Sequence, residues 1–262
     1  MNIQFSFCRF WHVLVWTLVY HWRQLLTLFS AAFVTFVAVE IIEFIQASND
    51  YAKWFLFDHK SQETIVSDAL HTAGNSCMSF LAVLMCVGAA FAFYNLHRKN
   101  EGRRLLMLPA TNLEKFLARW VVYVPVLLVL YVVAFMVSDL LRMTIWPVFT
   151  EEVSFPTAIP EFFGVMKYLV VWTSTLHFYK LLALWRKFWF FHALGLFSSV
   201  WIGRWAWLFV TIVFFAVTAL LLRGNYQGWD VTVFYLLAVV LAIAAYWLFC
   251  RFPKYKLFHN KD

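Results

Sequence analysis

Few side chains in this sequence are equipped for chemistry, and most of those stand in apolar surroundings. Glu40 and Glu43 interrupt the run Leu25–Ile45 at spacing i, i+3, which puts both carboxyls on one face of a helix. A carboxylate in hydrocarbon is expensive, and where one is kept it usually lines an ion or substrate path. The same pair also suits headgroup depth, because the run gives way to Gln46-Ala47-Ser48-Asn49-Asp50. Asp139 and Arg142 repeat the i, i+3 spacing and read as an interfacial ion pair of little energetic weight. His192 is the histidine best placed at membrane depth. It reads either as a buried ring bonded to a neighbouring helix or as a proton or metal relay. The other histidines are scattered, with no H-E-x-x-H and no paired acid at metal spacing. Cys77, Cys86 and Cys250 fall in apolar runs as small hydrophobes, and no C-x-x-C occurs. No G-x-x-x-x-G-K-[ST] turn is present to cradle a nucleotide, and no Ser/His/Asp constellation can be argued from the residue order. The expectation is a chain that is not an enzyme and binds no cofactor or metal of its own.

The elements that must position these residues follow from composition. Of 262 residues, 63% are hydrophobic and 13% charged, with a mean hydropathy of +0.73. Soluble domains run at about 45–50% apolar and about 25% charged. The aromatic share of 21% suits interfacial belts and lipid contact. The expected fold class is therefore all-α: a polytopic membrane protein forming a single transmembrane domain over 1–262. A net charge of +7 is also found in nucleic-acid binders, but cytoplasmic loops of membrane proteins collect Lys and Arg, so no nucleic-acid partner is expected. The start, MNIQFSFCRFWHVLVW, lacks a basic n-region and a small-residue cleavage site, so no removable signal peptide is expected.

A spanning helix needs about 20 mainly apolar residues. Leu25–Ile45, Thr72–Leu96, Trp120–Leu141 and Val231–Cys250 qualify, and Leu208–Leu222 is short but uncharged. Between Phe162 and Gly203 lie two apolar pieces split by Arg186 and Lys187. Lys and Arg dominate the N-terminal stretch, the loop His97–Arg119 and the tail after Cys250. Acids dominate Gln46–His71 and Asp139–Glu161. The basic segments, and with them both termini, are expected in the cytoplasm. Both ends inside demands an even number of crossings, so 162–203 supplies one more and the expected total is six. That crossing is either Phe162–Leu184 or about Leu181–Gly203. Trp172, Tyr179, Trp185 and Trp189 suit an aromatic belt in either case. Ahead of the first span, Phe10, Leu14, Leu18 and Trp22 recur every four residues. Residues 5–23 thus read as an interfacial amphipathic helix or as the ragged start of a longer first span.

The stretch RRLLMLPATNLEKFLARW, residues 103–120, stands out between two apolar runs. Pro109 biases the residue before it away from the α region and so marks a break. Thr111 and Glu114 have the T-x-x-E spacing of a capping box, in which the hydroxyl accepts from the Glu114 amide and the carboxylate reaches back to the Thr111 amide. A helix is predicted to begin at Asn112. Leu113, Phe116, Leu117, Trp120, Val121 and Val124 form its single apolar face, and Asn112, Lys115 and Arg119 cover the other side. The chain is then expected to leave span two, turn, lay a short capped helix on the cytoplasmic surface and enter span three.

L-M-L-P-A-T-N-L-E-K-F-L-A-R-W resembles the segment after span two in ABC-2-type transporter permeases, most closely small six-span permease-like proteins of Bacteroides-type bacteria with an L-P-A-S-N-L-E-K-F-L-x-R pattern. In that superfamily the cytoplasmic helix is a coupling helix seated in a groove of an ATPase subunit. The resemblance implies that Pro109, Thr111, Asn112, Leu113, Glu114, Lys115, Phe116, Leu117 and Arg119 form the docking element. Leu113, Phe116 and Leu117 would lie at the contact or membrane face, with Lys115 and Arg119 at its rim. It also implies a separate ABC ATPase as partner, a homodimer or heterodimer of permease subunits, and export across a bacterial cytoplasmic (inner) membrane; Glu40, Glu43 and His192, singled out above by their apolar setting, are the candidates for a translocation or ion path. A second stretch, from His192-Ala193-Leu194-Gly195 to Arg204-Trp205-Ala206-Trp207-Leu208, is similar to the group's H-x-x-x-L-G-G-x-x-F-R-R-x-x-W-L. It departs in having Leu196 after Gly195, and Ile202-Gly203 where basic residues are usual. That likeness places span four at about 181–203 and span five at 206–222. The alternative expectation is a membrane scaffold or anchor that keeps this fold without transporting. The substrate is not legible.

Overall fold

From Phe5 to Phe57 the sequence contains neither glycine nor proline, so nothing in the backbone stops a helix once it has begun. In the computed structural model, which describes residues 5–57, 62–97, 104–105, 107–149, 156–170, 190–223 and 231–259, this stretch is one helix, α1, over Phe7–Phe57. The amphipathic segment at 5–23 is thus not a separate interfacial element but the first part of the rod that continues into span one. The rod's 51 residues make it about 75 Å long, against about 30 Å of hydrocarbon in a bilayer. Helix α2 follows over Gln62–Phe91. Much of the loop expected at 46–71 is therefore helical: its Ser, Asn and Asp residues are weak helix formers rather than breakers.

After α2 the chain tightens. The Ala92 amide donates to the Ala89 carbonyl at 3.1 Å, and a 3₁₀ turn covers Tyr94–His97. Helix α3, Asn112–Val121, then begins at its cap and runs through a π turn, Val122–Val126, into α4, Leu127–Phe149. This corrects the expectation of a separate surface helix. Pro125 explains the continuity. Its missing amide leaves no donor for the carbonyl four residues back, and the helix widens locally instead of ending, with the Leu127 amide reaching the Val122 carbonyl.

Helix α5 covers Ile159–Val170, α6 Phe190–Trp201, α7 Ala206–Arg223 and α8 Val231–His259. Gly203 takes φ 70, a left-handed conformation that glycine adopts freely, and with a 3₁₀ turn over Gly203–Trp205 it divides α6 from α7. The first residues of the expected fourth span, 181–189, lie outside the described residues. So do Arg186, Lys187, Trp172, Tyr179, Trp185 and Trp189.

All regular structure among the described residues is helical, and three helices are long and apolar enough to cross a membrane: Phe7–Asn49, Val66–Phe91 and Asn112–Ile145. Large apolar side chains such as Val19, Val34, Ile212 and Ile243 are more than half exposed, as lipid-facing residues are. The chain has the marks of a multi-pass membrane protein.

Contacts divide the chain into two compact units. The first comprises Met1–Leu25, Met85–Leu128 and Ala183–Asp262, and the second Leu26–Leu84 and Val129–Leu182. In the first unit, Cys86, Ala90, Phe191, Ala206 and Val210 form a buried cluster. Small residues let α2 and α6 approach closely there: a Cβ added at Gly195 would stand 2.9 Å from the Cys86 carbonyl oxygen and 3.0 Å from the Ala89 Cβ. In the second unit, Phe135 stacks on Phe162 with centroids 4.0 Å apart and meets Phe36 edge-on at 5.7 Å.

Candidate functional site

Two polar constructions stand out, one in each unit. In the first, Thr111 is extended at φ −68, ψ 158, and the start of α3 is closed by a full capping box. The Glu114 amide donates to Thr111 Oγ1 at 3.2 Å, and the Thr111 amide donates to Glu114 Oε2 at 2.7 Å. The other carboxyl oxygen, Oε1, accepts from the Ser6 amide at 2.7 Å and from Arg9 Nη2 at 3.2 Å. One carboxylate, wholly buried, therefore caps α3 and ties the first turn of α1 to it.

The faces of α3 are arranged differently from the expectation. Lys115 and Arg119 are buried rather than at a rim, at 4% and 1% exposure. Arg119 Nη1 donates to the carbonyl of Ala92 at 3.1 Å, beside the end of α2, and its guanidinium lies 5.5 Å from the Phe93 ring centroid. A cation at a helix C-terminus answers the carbonyls left without intrahelical donors. Phe116 is also buried, stacked on Phe93 at 5.3 Å and packed against Tyr246 and Phe249 of α8. What α3 and its preceding turn leave exposed is Met107, at 81%, Pro109, Asn112 and Leu113, while Leu117 is half-buried. Arg119 turns inward because a fixed carbonyl and an aromatic face receive it there, while Met107 and Leu113 remain outside.

The second unit holds the carboxyls. Glu40 is completely buried, and its Oε1 lies 3.2 Å from Ser138 Oγ. Glu43 accepts from Ser76 Oγ at 2.7 Å and is partly exposed. Asp139 and Arg142, expected to pair, do so, and they are enclosed, with side chains 0% and 1% exposed. Arg142 donates to Asp139 Oδ1 from Nε at 3.0 Å and from Nη2 at 2.6 Å. Nη2 also reaches the Pro156 carbonyl at 2.8 Å, and the guanidinium lies 4.2 Å from the Phe44 ring centroid. Asp139 Oδ2 accepts from Thr157 Oγ1 at 2.6 Å and from the Ala158 amide at 3.0 Å. The pair thus anchors the chain entering α5, where the Ile159 amide donates to Thr157 Oγ1 and the Phe162 amide to the Ala158 carbonyl.

His192 is buried at 2% exposure in α6. It belongs to the first unit and the two glutamates to the second. Among the described residues no three His, Cys, Asp or Glu side chains are grouped to hold a metal, and all four cysteines are free. Neither construction offers an activated nucleophile. The first can present a rigid surface and the second can hold charge or a proton. Ser6, Arg9, Phe93 and Ser138 are the members that sequence reasoning missed. No family model, curated protein or solved structure matches the chain.

Proposed function

We propose that this chain is the membrane-spanning permease subunit of an exporter driven by a separate ATPase, and that the ATPase docks on the turn before α3 and on its first residues. The observation that carries the reading is the combination of a pinned helix start with an exposed tip. Glu114 is fixed by Ser6, Arg9 and Thr111, while Met107, Pro109, Asn112 and Leu113 are turned outward. A partner that grips a pre-ordered element loses less conformational entropy on binding. The exposed residues are mainly apolar, which suits a groove on another protein. Phe116, Lys115 and Arg119 then serve to hold the element in place rather than to touch the partner.

On this reading the chain makes six crossings with both termini in the cytoplasm, and two permease subunits pair around the path. The test is purification of the full chain from its native membranes in mild detergent, with co-purifying proteins identified by mass spectrometry. A phosphate-loop ATPase is expected, and Met107→Asp with Leu113→Asp should remove it while leaving the permease folded. Absence of such an ATPase, or its retention by the double variant, defeats the proposal. Substrate-stimulated ATP hydrolysis by the reconstituted complex separates a transporter from a scaffold.

A further inference from the structure

We propose that Glu40 carries a proton in the folded protein and forms a proton-binding site within the second unit. A census of hydrogens around the carboxyl supports this. Glu40 Oε2 has no hydrogen-bond partner among the described residues, and Oε1 has one neighbour, Ser138 Oγ, at 3.2 Å. The Ser138 hydroxyl has a single hydrogen, and it lies closer to another acceptor, the Phe135 carbonyl, at 2.7 Å. Serine in a helix commonly donates back to a carbonyl of the preceding turn. With that hydrogen spent, Glu40 and Ser138 bond only if the carboxyl supplies a hydrogen of its own.

The neighbouring Asp139 makes the contrast. Its two oxygens receive four donors: Nε and Nη2 of Arg142, the Thr157 hydroxyl and the Ala158 amide. The two carboxyls are therefore served unequally: Asp139 has four donors and Glu40 has none of its own. Among the described residues, the titratable and charged groups around Glu40 are Glu43 on its own helix, Cys77 on α2, and Asp139 and Arg142 on α4. An ionised, wholly buried Glu40 would leave a carboxylate without a donated hydrogen at this position, which is costly in an apolar interior. Proton loss therefore requires rearrangement. The hydrogen passes to water, and Ser138 swings its own hydrogen from the Phe135 carbonyl to the new carboxylate. The site couples a proton to the local packing of α1 against α4, whichever partner the other unit engages.

The test uses the purified full-length chain in lipid nanodiscs. Infrared spectra at neutral pH should contain the carbonyl stretch of a protonated carboxyl. This band should be lost in Glu40→Gln, kept in Glu43→Gln, and shifted but kept in Ser138→Ala, which removes its acceptor. Dicyclohexylcarbodiimide, which attacks protonated carboxyls in apolar sites, should form an adduct at Glu40 of the unaltered protein, mapped by mass spectrometry, and none at Asp139. This arm depends on no variant. The proposal is overturned by absence of the band and of the Glu40 adduct at neutral pH, or by a band that survives Glu40→Gln. It is also overturned if replacing choline with sodium abolishes the band, because the site would then take a monovalent cation in place of the proton.

Discussion

Glu114 shows how much one side chain can hold. It caps its own helix and receives two further donors from residues more than a hundred positions away. Glu114→Ala should lower stability by about 3 kcal/mol, because it removes charge-assisted bonds and leaves buried amides without an acceptor. Thr111→Ala, which removes only the hydroxyl half of the box, should cost about 1 kcal/mol. Both can be read in detergent as the unfolding midpoint at which the buried thiols Cys77 and Cys86 become reactive to a fluorescent maleimide. Arg142→Met should cost about 3–5 kcal/mol in the same assay, since it strands Asp139 in the interior. A surface pair would show almost nothing. Thr111 and Glu114 were legible from spacing because capping is local. Ser6 and Arg9 were not, because nothing around them points to a partner so distant. The enclosure of Arg119 and of the Asp139–Arg142 pair was not legible, because it depends on residues distant in the sequence: Ala92 and Phe93 around Arg119, Pro156 and Thr157 around the pair.

Elements follow the same division between local and distant causes. The cap of α3 could be read from residue types and the start of α8 from its apolar run, although α8 continues past the end of that run at Cys250 to His259. The length of α1 was underestimated because Ser, Asn and Asp after Ile45 look like a loop, although none of them ends a helix without glycine, proline or a competing contact. The joining of α3 to α4 was hidden because the cap marks where α3 begins and nothing local marks whether it ends before the span; the π turn Val122–Val126 carries it through. Close packing of α2 on α6 gives a sharp prediction. Gly195→Ala should destabilise by about 1–3 kcal/mol, because its methyl would meet a backbone carbonyl at 2.9 Å that has little freedom to move. Gly164→Ala in α5, with nothing within 4 Å of the added Cβ, should be neutral or stabilising by up to about 1 kcal/mol. Thermal midpoints of the two variants in one detergent decide the comparison.

At the scale of the whole molecule, class and broad composition were legible before any coordinate, because an apolar fraction this high leaves no way to hide it from water. Sidedness remains a charge argument, and it yields a prediction. With Cys8 replaced by serine, Met107→Cys should react with a membrane-impermeant maleimide only after cells are permeabilised, while Ser67→Cys should react in intact cells. Labelling of position 107 from outside would reverse the orientation and remove the docking tip from reach of any cytoplasmic ATPase. The link between Ser6 and Glu114 has a consequence for biosynthesis. The two residues are 108 positions apart. At about 5–20 residues per second of chain growth, the amino-terminal turn waits about 5–20 s on the ribosome before its anchor emerges. Through that interval an aromatic-rich, basic leading segment is free to meet lipid headgroups, so the anionic composition of the host bilayer should influence how efficiently newborn chains mature.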